Sequence, residues 1–141
     1  MKRRTVAVLG IATLCVFLMG SGVYGFNQDD LEKLRTTRSC TKCDLSRVTL
    51  NGADLSGVSL MGADLTGANI KGVDLNGANL NGADLMGANL NEADLTQANL
   101  MGANLYGVDL TQVKLNDTML DSATWTDGQT CKPGSRGQCI K

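Results

Sequence analysis

Residues 83–107 read ADLMG-ANLNE-ADLTQ-ANLMG-ANLYG. Leucine falls on every fifth residue, alanine stands two before it, and Asp or Asn lies between them. Followed in both directions, the period holds without insertion or deletion for 17 units, from Cys43 and Leu45 to Ala123 and Trp125. An α-helix turns about 100° per residue, so leucines five apart would circle it and make no stripe. A straight strand alternates its side chains, so an odd spacing would send successive leucines to opposite faces. Within one unit, however, Ala and Leu are two apart and share a face. The pattern closes if the chain turns a corner once per unit. Each side then points its Ala and Leu inward and its other residues outward, and successive coils hydrogen-bond as parallel sheets.

These units resemble the pentapeptide-repeat family, whose motif covers residues 43–127 here. The resemblance implies an all-β fold, a right-handed quadrilateral parallel β-helix with four units per coil. Just over four coils stacked at about 4.8 Å make a rod roughly 20 Å long. Gly follows the leucine at ten corners, including Gly52, Gly62 and Gly87. Because Glu92, Gln97 and Gln112 take the same slot, the corner is expected not to require a positive φ.

A solenoid exposes strand edges at both ends and needs caps. Before the repeats, residues 29–35 read as a short helix, with Asp29 and Glu32 as a capping box and Leu31 and Leu34 covering the first coil. The expected division is an export signal over 1–25, a helical cap over 26–42, the β-helix over 43–127 and a polar tail over 128–141. Trp125 is expected to close the last coil.

The export signal is read from Lys2-Arg3-Arg4 followed by 14 apolar or small uncharged residues, 6–19. Cleavage is expected after Gly25, with Gly22 as the second position. The localisation expected is periplasmic or secreted. If the segment is retained, the uncharged run over 5–28 is long enough to anchor the chain in a membrane. Cys15 lies inside the signal and would be discarded with it. The four remaining cysteines, Cys40, Cys43, Cys131 and Cys139, form an even set behind an export signal, which reads as disulfides. On the rod that the resemblance implies, the two pairs stand about 20 Å apart, far beyond the ~7 Å limit for a disulfide. The expected bonds are therefore Cys40–Cys43 and Cys131–Cys139. The same separation excludes a four-cysteine zinc site. The Cys40-Thr41-Lys42-Cys43 spacing is also that of a thiol redox pair, but no βαβ pattern surrounds it and Cys43 takes an inward slot.

Overall charge is nearly balanced, 13 Lys+Arg against 14 Asp+Glu, which excludes a nucleic-acid binder driven by bulk positive charge. Acidity concentrates on the rod: residues 43–127 hold 11 acids and 3 bases. Asp44, Asp64 and Asp84 should stack as one column and Asp54, Asp74 and Asp94 as the opposite one. Stacked carboxylates repel, while the intervening Asn69, Asn79, Asn89 and Asn99 can hydrogen-bond between coils. A weak cation site on the acidic columns is the sharper reading, and solubility with backbone hydrogen bonding the plainer one. Histidine is absent, so His-based triads and His metal sites are excluded. With no convergent catalytic set, no catalytic residue, cofactor, metal site or small-molecule substrate is expected. Outward apolar residues form the candidate partner patch: Met61, Met101 and Met119 on one face, Met86 and Tyr106 on the next. The function expected is a non-enzymatic protein-binding or structural scaffold with an unidentified protein partner or a second copy of itself. Two alternatives come with the resemblance and the motif: a DNA mimic that protects DNA gyrase, and a CxxC thiol redox protein.

Overall fold

A computed structural model describes residues 25–141. The expected export signal, its cleavage position after Gly22 and Cys15 lie outside the described residues. Described structure begins with Gly25, Phe26 and Asn27 laid along the start of the repeat, where the Asn27 N–H donates to the Asp44 carbonyl at 3.0 Å. Helix α1 spans Gln28–Thr37. Its N-cap is Asn27, whose Oδ1 accepts the N–H groups of Asp29 at 2.9 Å and Asp30 at 3.4 Å. The expected box of Asp29 and Glu32 is thus replaced by an Asn cap two residues earlier, an equally favoured N-cap residue. Leu31 and Leu34 are buried against the repeat. Arg38 ends the helix at φ 54°, its N–H returning to the Leu34 carbonyl. Among the described residues no helix is long and apolar enough to cross a membrane.

From Ser39 onward the chain winds in coils of twenty residues. Four parallel ladders define four sides. Ser39, Ser59, Asn79, Asn99 and Met119 mark side one, and Asp44, Asp64, Asp84, Asn104 and Thr124 mark side two. Side three carries Thr49, Asn69 and Asn89, and side four Asp54, Asp74, Asp94 and Lys114. Each step uses two backbone bonds: Leu65 N–H to the Asp84 carbonyl at 2.8 Å, and Asp84 N–H to the Ala63 carbonyl at 2.9 Å. The coils begin four residues before the expected boundary at Cys43. Cys40 takes a leucine slot, and its N–H pairs with the Ser59 carbonyl at 2.7 Å, so residues 39–42 belong to the β-helix and not to the helical segment.

The corners overturn one expectation. In each unit the N–H of the next inward residue returns to the leucine carbonyl, as from Ala68 to Leu65 at 3.0 Å. At every corner from Lys42 to Ser122 except Gln112 the residue before it is left-handed, the pattern of a type II turn. This holds for Gly62 at φ 65° and equally for Glu92 at 62° and Gln97 at 58°. Within the paired coils a positive φ is therefore adopted even by non-glycine residues, which bear the strain because the coils on either side fix the turn. At Gly62 glycine has a second use: an added Cβ would lie 3.3 Å from the Lys42 side chain of the coil before.

Inward leucines and alanines fill the interior. Leu45, Leu65, Leu85 and Leu105 are fully buried in one row, with Leu80 and Leu100 in another. Thr118, in an alanine slot, is satisfied by donating its hydroxyl to the Leu95 carbonyl at 2.8 Å. Packing loosens toward the C-terminal end on side three. Asn89 has no bridge to Asp109, and among the described residues the N–H groups of Leu90, Glu92 and Asp109 make no backbone hydrogen bond. Gln112, within that unpaired segment, is not left-handed, and Leu110, Val113 and Leu115 are only partly buried.

The tail is not merely a polar extension. It reverses and pairs antiparallel with the last coil, Thr130 against Thr124 and Arg136 against Met119. Trp125 is itself partly exposed, its N–H bonded to the Gln129 carbonyl at 2.7 Å. Relieving one corner tests this reading. Gln97→Gly should raise the unfolding free energy by about 0.5–1 kcal/mol, the left-handed penalty less the entropy cost of glycine, as measured by urea denaturation. Gln97→Ala should bring no such gain.

Candidate functional site

Because leucines and alanines fill the interior of the coils, the outward positions carry whatever the protein recognises. The Asp/Asn slot has a structural task first. The side-chain Oδ1 accepts the N–H two residues on, as in Asp54 with Ser56 at 3.0 Å, Asn79 with Asn81 at 3.1 Å and Asn104 with Tyr106 at 3.1 Å. Either residue supplies this acceptor, which explains why Asp and Asn alternate freely in the slot.

The expected acidic columns are present as ladders on sides two and four, and their charge is managed locally. On side two the Asn104 amide donates to Asp84 at 3.1 Å. On side four Arg38 stands 4.0 Å from Asp54 at one end, and Lys114 bonds Asp94 at 3.0 Å at the other. A hydrogen bond from the Thr96 side chain, the Thr96 N–H and then Lys114 hold Asp94 down to about 2. The Ser56 hydroxyl and N–H, with Arg38 beyond them, hold Asp54 below the usual carboxylate range. On side three the Asn89 amide donates to Asn69 at 3.2 Å, an inter-coil amide bond of the kind expected. The columns bring no three carboxylates within ligand distance of one another. Among the described residues the only such cluster is Asp30, Cys40 and Cys43, so the sharper reading of the columns as a weak cation site has no geometric support.

Side one differs from the others. Across residues 58–62, 78–82 and 98–102 it holds no charged residue. Its outward positions are Ser59, Met61, Asn79, Asn81, Asn99 and Met101. Met61 is 41% exposed, and Met101 and Met119 are partly covered. Met61 and Met101 lie two coils apart with Asn81 between them, its amide bonded to the Met101 carbonyl at 3.0 Å. On side two Met86 and Tyr106 occupy successive coils and are 42% and 52% exposed. Gly128 of the tail lies against the Tyr106 ring, and Met119 sits beside Arg136. The five candidate residues therefore form a pair on side two and a spaced row on side one. Sequence reading singled out the methionines but missed the lack of charge around them, which is readable by taking the outward residues twenty at a time.

Both ends carry disulfides. Cys40 and Cys43 are joined with Cα atoms 5.3 Å apart, and Cys131 and Cys139 with Cα atoms 5.1 Å apart. The CxxC spacing follows from the repeat itself: a leucine slot and the next alanine slot are three residues apart across a corner, and both point inward.

Residues 43–82 and 78–117 match the family described as pentapeptide repeats, in eight copies. No curated protein matches the chain. Among solved structures it is similar to a pentapeptide repeat protein from the Arabidopsis thaliana thylakoid lumen, at 30% identity and a TM-score of 0.54. That likeness covers 75% of this chain and 66% of the other, just under two thirds of its length. It is also similar to a pentapeptide repeat protein from Nostoc PCC 7120, at 36% identity and a TM-score of 0.59, over 64% of this chain and 75% of that one. QnrB1, a plasmid-mediated fluoroquinolone resistance protein, matches at 18% identity and a TM-score of 0.34, over 72% of this chain and 56% of its own, too distant to argue function.

The Asp94 arrangement predicts a titration. Its folded value near 2 lies below the ordinary 3.8, so its stabilisation is complete above about pH 4 and is lost as pH falls toward 2. Side-chain carboxyl NMR shifts should show the midpoint rising in Thr96→Val and rising less in Lys114→Met.

Proposed function

The chain belongs to the pentapeptide-repeat family, with its right-handed quadrilateral β-helix, and from that premise we propose that it is a non-enzymatic scaffold that binds a protein partner outside the cytoplasm. α1 serves as the N-terminal cap of this rod, and the tail closes the other end. The observation that carries the reading is the middle of side one, three coils of Ser, Asn and Met with no charged residue, between Lys42 at one end and Asp121 at the other, on a rod whose second and fourth sides bear the acidic columns. Methionine usually belongs in a core, yet the four described methionines stand outward while Leu, Ile, Val and Ala fill the interior. Flexible thioethers on a rigid surface suit a protein contact, and Met86 and Tyr106 extend the surface around the corner.

Location outside the cytoplasm draws support from the basic-then-apolar segment before residue 25 and from two disulfides in a small domain. The Arabidopsis relative is a thylakoid-lumen protein, so the fold is at home in a lumenal compartment. The redox alternative is disfavoured because Cys40 and Cys43 are 0% and 2% exposed, so the thiol of a protein partner does not reach either sulfur while the corner is closed. The DNA-mimic alternative is disfavoured because two of the four sides lack an acidic column.

A site-specific photocrosslinker tests the reading. Placed at Met101 in the chain expressed in its source cells, it should give a discrete adduct in the extracytoplasmic fraction. Placed at Asn76 on side four, it should give none, and Met61→Lys should abolish the Met101 adduct. Equal adducts from both positions, or a chain confined to the cytoplasm, would contradict the proposal.

A further inference from the structure

The cysteine pair at the N-terminal end is left unused by a binding scaffold, and its surroundings differ from those of the C-terminal pair. The two sulfurs of Cys40 and Cys43 and a carboxylate oxygen of Asp30 all lie within 4.8 Å of one another. Among the described residues no comparable cluster surrounds Cys131 and Cys139. We infer that, once its disulfide is reduced, the Cys40–Cys43 corner with Asp30 is a binding site for one thiophilic divalent cation.

The geometry supports this on three counts. First, a tetrahedral cation with bonds of about 2.0–2.3 Å needs ligand atoms roughly 3–4 Å apart. The three ligand atoms lie within 4.8 Å of one another, so the adjustment is to separate the two bonded sulfurs about an ion that the carboxylate also reaches. Second, a C-x2-C pair on a tight turn presents both sulfurs to one point, the arrangement of half a zinc site. Here the turn is a repeat corner, with the Cys43 N–H bonded to the Cys40 carbonyl at 3.4 Å. Third, Asp30 is held in place. Its Oδ2 accepts the Asp44 N–H at 2.9 Å, while its other carboxylate oxygen makes no hydrogen bond among the described residues. The Asp30 carbonyl lies 3.0 Å from the Cys40 sulfur. In the oxidised pair that sulfur has no proton to donate, and on reduction it becomes a thiol donor to this carbonyl.

The chemistry balances. A small-molecule dithiol, admitted when the corner opens, gives two electrons and two protons to the Cys40–Cys43 bond and leaves as its own disulfide. The cation then displaces both thiol protons to water. Two thiolates and one carboxylate against a divalent ion leave the site at a net charge of −1, with a fourth position open to water. Thiolates select borderline and soft ions over Mg²⁺ or Ca²⁺. Staple and cation are mutually exclusive, so the same corner is a covalent clasp under oxidising conditions and a metal site under reducing ones.

Cd²⁺ titration tests the inference, with the sulfur-to-metal charge-transfer absorbance as readout. The full chain carries Cys15→Ser throughout and is reduced by a phosphine, which opens the bond without offering thiols to the metal. Reduced protein should bind one Cd²⁺ per chain, and oxidised protein none. Cys40→Ser/Cys43→Ser, which retains the C-terminal pair, should bind none when reduced. Asp30→Asn keeps an acceptor for the Asp44 N–H and should bind at least about tenfold more weakly. The inference fails if the reduced chain takes up no Cd²⁺, if the double serine variant binds as well, or if Asp30→Asn binds unchanged. It fails equally if reduction unfolds the chain, by far-ultraviolet circular dichroism, and Cd²⁺ does not restore it.

Discussion

On each side of the square a leucine N–H reaches a carbonyl nineteen residues further along, as from Leu85 to Asn104 at 2.9 Å. Buried backbone groups must be paired, and here the pairing can be met only if four sides and four corners consume twenty residues. A unit is therefore held to five residues, and each unit to one inward pair of small and large side chains. The same constraint sets the corner. Three residues must turn the chain by about a quarter turn while the next N–H returns to the leucine carbonyl, and where the coils on either side are fully paired the third residue is left-handed, as in a type II turn, Gln112 in the unpaired segment being the exception. Glu92 and Gln97 obey at a conformational cost because the ladders before and after leave no alternative.

Much of this was legible in the residues. The Leu and Ala slots announced the interior, and the four cysteines after the apolar N-terminal stretch, two early and two late, pointed to the ends. The corner conformation was not legible, because Glu and Gln in a glycine slot argue locally against positive φ, and only the assembled ladders overrule that preference. The start of the coils was hidden for a related reason. Cys40 stands where leucine is expected, so the unit formed by residues 38–42 did not look like a repeat. The tail was opaque because antiparallel pairing over a strand edge uses backbone groups, and Gln129, Thr130 and Arg136 carry no periodic signature.

The surface divides labour in a way that follows from the ladder. Every Asp or Asn in the central slot but Asn69 is occupied in bonding the N–H two residues on, so the choice between them changes charge without changing fold. Sides two and four took Asp, side one took Ser and Asn, and side three mixes Thr and Asn. Charge pattern is thus free to vary on an invariant scaffold, and the outward positions after each leucine vary more freely still, which is where Met61, Met86, Met101 and Tyr106 stand. Recognition on such a rod resides in these columns and in its two ends, where disulfide, helix and tail interrupt the repeat.

The central claim is that five residues make one closed side and twenty make one coil. The most direct measurement compares urea unfolding of two deletions. Removing residues 78–82 takes out one whole side, and the remaining units should re-pair one side out of step, giving a folded rod with a single cooperative transition. Removing residues 78–81 takes out four and turns polar residues inward in the coils that follow, so no cooperative transition should remain. Equal tolerance of both deletions, or equal loss from both, would contradict the account.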